Sequence, residues 1–170
     1  MKIVGIAFAA LILAAGIVIV IGLLLPTAHV ATRSAVYAAA PERLFSLIDG
    51  PQVWRHEVVQ SHTVADAGGR DLWLETTRDG RTITYALEQR VAPTGIVRRV
   101  ATANLPFGGA WTFSLEPEGQ RTRVRITENG EVYNPVFRFV ARFVIGYHSS
   151  MDSYLRALGR ETGETVQPGD

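Results

Sequence analysis

The sequence contains no cysteine, which excludes disulfides, thiol catalysis and cysteine-based metal sites. Its four histidines, His29, His56, His62 and His148, form neither an HxH nor an HExxH spacing, so nothing points to a metal or other cofactor. No GxSxG elbow is present. Charge of neither sign dominates: 17 Lys and Arg face 16 Asp and Glu, a formal net charge of +1. A global attraction to nucleic acid or anionic lipid therefore has no basis here. Internal repeats and low-complexity tracts are also missing. Between Ile3 and Leu25 every charged residue is absent, together with Asn, Gln and His.

That uncharged run is closed by Pro26. As a helix, about 23 residues rise roughly 35 Å, enough to cross a hydrocarbon core of about 30 Å. A cleaved signal peptide is the rival reading, but its apolar region would be only about 7–15 residues long. The flank Pro26-Thr27-Ala28-His29-Val30-Ala31 offers no A-x-A site: cleavage after Ala31 puts His29 at −3, and after Ala28, Pro26. A retained single-pass anchor is expected. Lys2 on one side against Arg33 on the other predicts a domain outside the cytoplasm. Gly5/Ala9 and Ala10/Ala14 have small-xxx-small spacing, which an Ala-rich segment produces readily by chance.

Of 170 residues, the anchor leaves enough for one domain and one core. The expected division is an anchor over 1–27, a globular domain over 28–162 and a disordered tail over 163–170. Val30 to Ala38 reads as a first strand. Pro41-Glu42-Arg43 opens a short helix with an apolar stripe of Leu44, Phe45, Leu47 and Ile48, stopped by Asp49-Gly50-Pro51. From Val58 to Val132, short alternating runs are separated by turn residues such as Asp79-Gly80 and Glu118-Gly119, the pattern of an antiparallel meander. In the clearest strand, Arg121, Arg123 and Arg125 share one face and Thr122, Val124 and Ile126 the other. Trp111, Phe113 and Leu115 alternate in the preceding strand and should share the inner face with Val124 and Ile126.

The last element reads as one helix from Pro135 to about Leu158, capped by Asn134. Val136, Val140, Phe143, Tyr147, Met151, Tyr154, Leu155 and Leu158 recur at helical spacing on one face. Arg138 and Arg142 argue against a second membrane span, since each costs about 2.5–3.5 kcal/mol at a bilayer centre. The expected architecture is α+β: a curved antiparallel sheet of six to seven strands around a long C-terminal helix. One helix about 10 Å wide cannot fill a strongly curved sheet, so space should remain between them.

Three stretches carry a resemblance. Ala40 to Asp49 with Trp54, Leu105 to Phe113, and Glu128 to Phe139 resemble the START-like, or polyketide cyclase/dehydrase-like, superfamily (SRPBCC). The resemblance covers nearly everything after Ala31 and implies the helix-grip fold. Its members include lipid carriers, hormone receptors, cyclases and chaperone partners, so it implies a ligand cavity without naming the ligand. The N-terminal anchor departs from the usual pattern and favours a membrane-side task.

Trp54, Tyr85, Trp111, Phe113, Val140, Phe143 and Tyr147 are the expected ligand-binding residues. No catalytic residue is assigned. Glu75, Glu88, Glu128 and Tyr85 are the polar strand residues whose inward placement would supply an acid or base. His148-Ser149-Ser150 with Asp152 holds the residue types of a hydrolase, but no oxyanion site accompanies them, and an ordinary i,i+4 contact of His148 with Asp152 is expected. Leu105-Pro106-Phe107-Gly108-Gly109 reads as an apolar lip. The leading expectation is a membrane-anchored binding module for a small hydrophobic ligand or lipid. A cyclase/dehydratase-type enzyme acting on a polyketide-like substrate is the first alternative. A protein-interaction module with a collapsed cavity, using the Arg138/Arg142 edge, is the second.

Overall fold

The computed structural model describes residues 2–170. Helix α1 (Lys2–Leu24) is followed by β1 (Ala28–Tyr37), α2 (Pro41–Asp49), β2 (Val58–Ala65), β3 (Asp71–Thr77) and β4 (Thr82–Val91). Strands β5 (Gly95–Val100), β6 (Phe107–Glu118) and β7 (Arg121–Val132) complete the sheet, and α3 (Pro135–Val140) and α4 (Ser149–Thr162) close the chain. Ile3–Leu24 is the one helix among the described residues long and apolar enough to cross a membrane.

The seven strands form one antiparallel sheet in the order β1-β7-β6-β5-β4-β3-β2. Strands β2 to β7 pair as successive hairpins, and only β1 crosses over, to pair with β7. The expected alternation holds: Thr122, Val124 and Ile126 are buried, as are Phe113 and Leu115. The register sets Phe113 beside Ile126 and Leu115 beside Val124. Leu44, Phe45 and Ile48 of α2 and Met151, Tyr154, Leu155 and Leu158 of α4 complete the core on the concave face. Tyr37 fixes α4 to β1 by donating its hydroxyl to the Leu155 carbonyl at 2.8 Å. Arg33 donates to Asp152 of α4 at 2.7 Å.

The C-terminal helix differs from the expected single rod. Asn134 caps α3 as read, its side chain accepting from the amides of Val136 and Phe137. After Val140 the helix widens into a π-helical turn, Ala141–Ile145, which ends where the Gly146 amide donates to the Ala141 carbonyl at 3.0 Å. Gly146 then takes φ 79°, ψ 148°, a conformation essentially confined to glycine. This break turns α4 onto the sheet and leaves the residues before it outside the grip. Val140 is only half-buried and Phe143 is 59% exposed. Both were expected on the concave face. Instead α3 lies against the end of α1: a Cβ on Gly22 would collide with the Pro135 carbonyl, and Arg138 donates to the Leu25 carbonyl at 2.8 Å.

No neighbour requires glycine at position 146, since a Cβ there meets nothing within 4 Å. Its glycine is required by backbone torsion. Gly146→Ala should therefore lower stability by about 1–3 kcal/mol, read as a reduced melting temperature of the full chain in detergent. An unchanged melting temperature would show that the break is not fixed.

Residues 163–170, expected to be disordered, are docked. Gly163 ends α4 in the left-handed conformation, Val166 is buried, and Ser34 and Gly169 exchange backbone hydrogen bonds of 2.7 and 2.9 Å. The tail thereby covers part of the free edge of β1.

Candidate functional site

Between the sheet and the start of α4 lies a cavity of about 350 Å³, at the lower end of the range for small-molecule sites. The register explains its walls. Arg98, Trp111 and Glu128 stand opposite one another across β5, β6 and β7. Tyr85 stands opposite Trp73 on one side and Val100 on the other. Ile83, Val100, Phe107 and Phe113 supply further apolar wall.

Of the expected ligand-binding residues, Tyr85, Trp111 and Phe113 line the cavity. Trp54 stands one layer behind, its ring edge-on to Tyr154 at 5.4 Å and its indole donating to the Leu47 carbonyl at 3.3 Å. Tyr147 packs on the core from the other end, stacked on His29 at 3.8 Å. Val140 and Phe143 lie outside, because the helix break carries them away. Phe107, Gly108 and Gly109 of the expected lip do border the cavity, as the first residues of β6.

A polar cluster closes the inner end. The Arg55 guanidinium donates to both Glu75 oxygens at 3.1 and 3.0 Å and to Gln52 at 3.1 Å. The Trp73 indole donates to Glu75 at 3.0 Å. Arg98 lies 4.1 Å from the centre of the Trp73 ring and donates to the Ile48 carbonyl at 2.9 Å. Glu75 and Arg98 are buried. Burial opposes the Arg55 charge, but Glu75 and neighbouring anionic groups outweigh it and hold its pKa above the ordinary value. For Arg98 burial prevails and the pKa falls. Desolvation drives the Tyr85 and Tyr154 phenols well above the ordinary tyrosine range, so both are neutral hydroxyls able to donate.

Two atoms in this cluster lack partners. The Arg98 Nε and the Tyr154 hydroxyl are buried and unbonded; the Gln52 side chain lies beside that hydroxyl without closing a hydrogen bond of good geometry. Such orphans cost stability and call for an explanation in a native fold. Arg55 also pairs with the more exposed Glu57 at 2.9 Å, which leaves Arg98 as the buried cation without an ion-pair partner among the described residues. Glu128 borders the other end, 3.8 Å from His29. Of the remaining candidates, Glu88 is on the outer face, paired with Arg99. Asp152 binds Arg33 and Arg156, and not the exposed His148.

Gln52, Arg55, Arg98 and His29 escaped the sequence reading. The signal for Arg98 was present: it shares strand parity with Ile96, so an inward Ile96 requires an inward Arg98.

The sequence pattern of the family described as polyketide cyclase / dehydrase and lipid transport matches residues 28–161. The chain belongs to that family. No curated protein matches it. A START superfamily protein from Mycobacterium smegmatis superposes with a TM-score of 0.62 at 16% identity, over 79% of this chain and 97% of that one. The di-domain aromatase/cyclase StfQ of the steffimycin biosynthetic pathway gives 0.61 at 14% identity, over 81% of this chain and 52% of StfQ. Norcoclaurine synthase from Thalictrum flavum gives 0.58 at 12% identity, over 81% and 87%. At these identities the likeness establishes the helix-grip fold.

Proposed function

We propose that the chain is a membrane-anchored binding module whose cavity holds a small amphiphile. The ligand's apolar body lies along Trp111, Phe113, Ile83 and Val100. Its oxygen-bearing end accepts from Arg98 and Tyr154. The observation that carries this reading is the pair of buried, unpartnered donors, one of them on the unpaired Arg98 cation, at the inner end of a cavity whose wall is mostly apolar. A ligand oxygen there would remove a desolvation cost of about 1–3 kcal/mol per orphaned group. The anchor is α1, by its length and lack of charge. The cavity end bordered by Phe107 and Glu128 is also the end of the sheet from which α1 leaves, since Ala28 pairs with Glu131 and Phe107 with Val132. A bilayer-soluble ligand would thus have a short path.

Native mass spectrometry of the full chain, with organic extraction, tests this. A co-purifying species with an apolar body and an oxygenated end is expected. Tyr154→Phe should raise the stability of the empty protein by about 1 kcal/mol or more, since the buried hydroxyl has no partner, and lower occupancy about tenfold or more. Equal occupancy in wild type and variant would overturn the role given to Tyr154. Release of the protein from membranes by alkaline carbonate would overturn the anchor.

A specific observation favours a second reading, acid–base catalysis of the cyclase/dehydratase type. Both Glu75 oxygens are taken by Arg55 and one also by Trp73, but Glu128 borders the cavity with His29 as its one ion-pair partner among the described residues. A base there, opposite donors able to polarise a carbonyl, has the layout of proton abstraction. Glu128→Gln discriminates: retained occupancy with loss of a mass change in the bound species would identify an enzyme.

A further inference from the structure

Outside α1, the largest run of exposed apolar side chains is confined to one short segment. Val136, Phe137, Phe143, Val144 and Ile145 are 38%, 50%, 59%, 70% and 61% exposed, and the Phe139 and Phe143 rings pack on each other at a tilt, their centres 5.0 Å apart. The segment lies on the last turns of α1. Among the described residues of that otherwise exposed stretch, Val18, Ile21, Gly22 and Leu25 form the covered stripe, and Gly22 and Leu25 are the positions met by Pro135 and Arg138. The two elements therefore form one continuous apolar surface.

We propose that α3 and the π-helical turn, residues 135–145, lie in the bilayer interface beside α1 and form a second lipid contact of the domain. This rests on α1 being a membrane anchor. Eleven residues rise only about 16 Å, too short to span and suited to lying in the interface. The polar groups agree. Arg138 is turned inward to the Leu25 and Tyr133 carbonyls at 2.8 and 3.2 Å. Arg142 is exposed, with no ion-pair partner among the described residues, free to extend to lipid phosphates. The Gly146 break is what makes this contact available: an unbroken helix would have carried Phe143 into the core. Two attachments, one spanning and one interfacial, fix the orientation of the domain on the membrane.

The absence of native cysteine permits a direct test on the full chain. Ile12→Cys, Val144→Cys and Val59→Cys are each labelled with the environment-sensitive fluorophore NBD and reconstituted in phosphatidylcholine vesicles. Quenching is read with lipids brominated near the glycerol or deep in the acyl chain. Strong deep quenching is expected at position 12. At position 144 shallow quenching should at least halve the emission, and position 59, exposed on β2, should not respond. Quenching at 12 with none at 144 would overturn the interfacial contact and leave the anchor standing. No quenching at 12 would overturn the anchor and this proposal with it. Lipid-independent cross-linking between Val144→Cys chains, without bromolipid quenching, would assign the surface to a second copy and overturn the proposal. Phe143→Asp with Val144→Asp should preserve the melting temperature and abolish quenching by shallow bromolipid of a label at Ile145→Cys.

Discussion

Replacing Glu75 by alanine is expected to destabilise the domain by about 3–5 kcal/mol, the usual effect of removing one partner of a buried ion pair. Its side chain is 6% exposed and its partner Arg55 17%, so water cannot take over the lost interaction. Three things happen together. Arg55 loses both of its hydrogen bonds to Glu75, the Trp73 indole loses its acceptor, and the half-exposed Glu57 is left as the one carboxylate paired with either guanidinium group. Glu75→Gln keeps the volume and one acceptor for Trp73, so its penalty should fall between those of wild type and alanine. Glu88→Ala, which breaks the exposed pair with Arg99 (side chains 40% and 49% exposed), should change stability by no more than about 0.5 kcal/mol. Chemical denaturation of the three variants separates the cases. If Glu75→Ala matches Glu88→Ala, the inner cluster is hydrated and the cavity is not the dry site described above. An anionic amphiphile that binds the native protein should return part of the lost stability by mass action.

The sheet was legible because period-two alternation reports the buried face directly. Arg121, Arg123 and Arg125 turn outward, Val124 and Ile126 inward, and the parity of Trp111 and Phe113 follows from hairpin pairing. The same rule applied to β5 places Arg98 inside. Arginine is ordinarily read as surface, and that habit concealed the most informative residue of the cavity. Arg55 and Gln52 lie in the irregular segment between α2 and β2, where no periodicity exists to orient them. The C-terminal helix misled in the opposite way. Its apolar residues do recur at helical spacing, but they serve two surfaces: Met151, Tyr154, Leu155 and Leu158 meet the sheet, while Val136 to Ile145 meet α1 and the exterior. Gly146 marks the boundary, and only its backbone torsion, invisible in sequence, reveals that the helix ends there. The composition of the tail suggests a loose end, but Val166 and Asp170 hold it to the domain through the core and through Arg33.

Phe113→Ala and Trp111→Ala should part company, although the residues are two apart on the same face of β6 and their rings lie 6.0 Å from each other. Phe113 is 3% exposed and belongs to the core; its truncation should cost about 3–5 kcal/mol, as buried aromatics do. Trp111 is only partly buried and stands at the middle of the cavity wall between Arg98 and Glu128. One side of its ring has no packing partner to lose, so its truncation should cost roughly half as much or less. The ligand should report the reverse order. Trp111 contributes wall along the proposed apolar body, and occupancy measured on the full chain by native mass spectrometry should fall at least tenfold in Trp111→Ala. Equal penalties for the two substitutions, with no bound species in the wild type, would mean that the cavity closes in solution and that the domain acts through its surface. A small penalty for Trp111→Ala together with lost occupancy would mean that the same aromatic wall that leaves the core incomplete is what recognises the ligand.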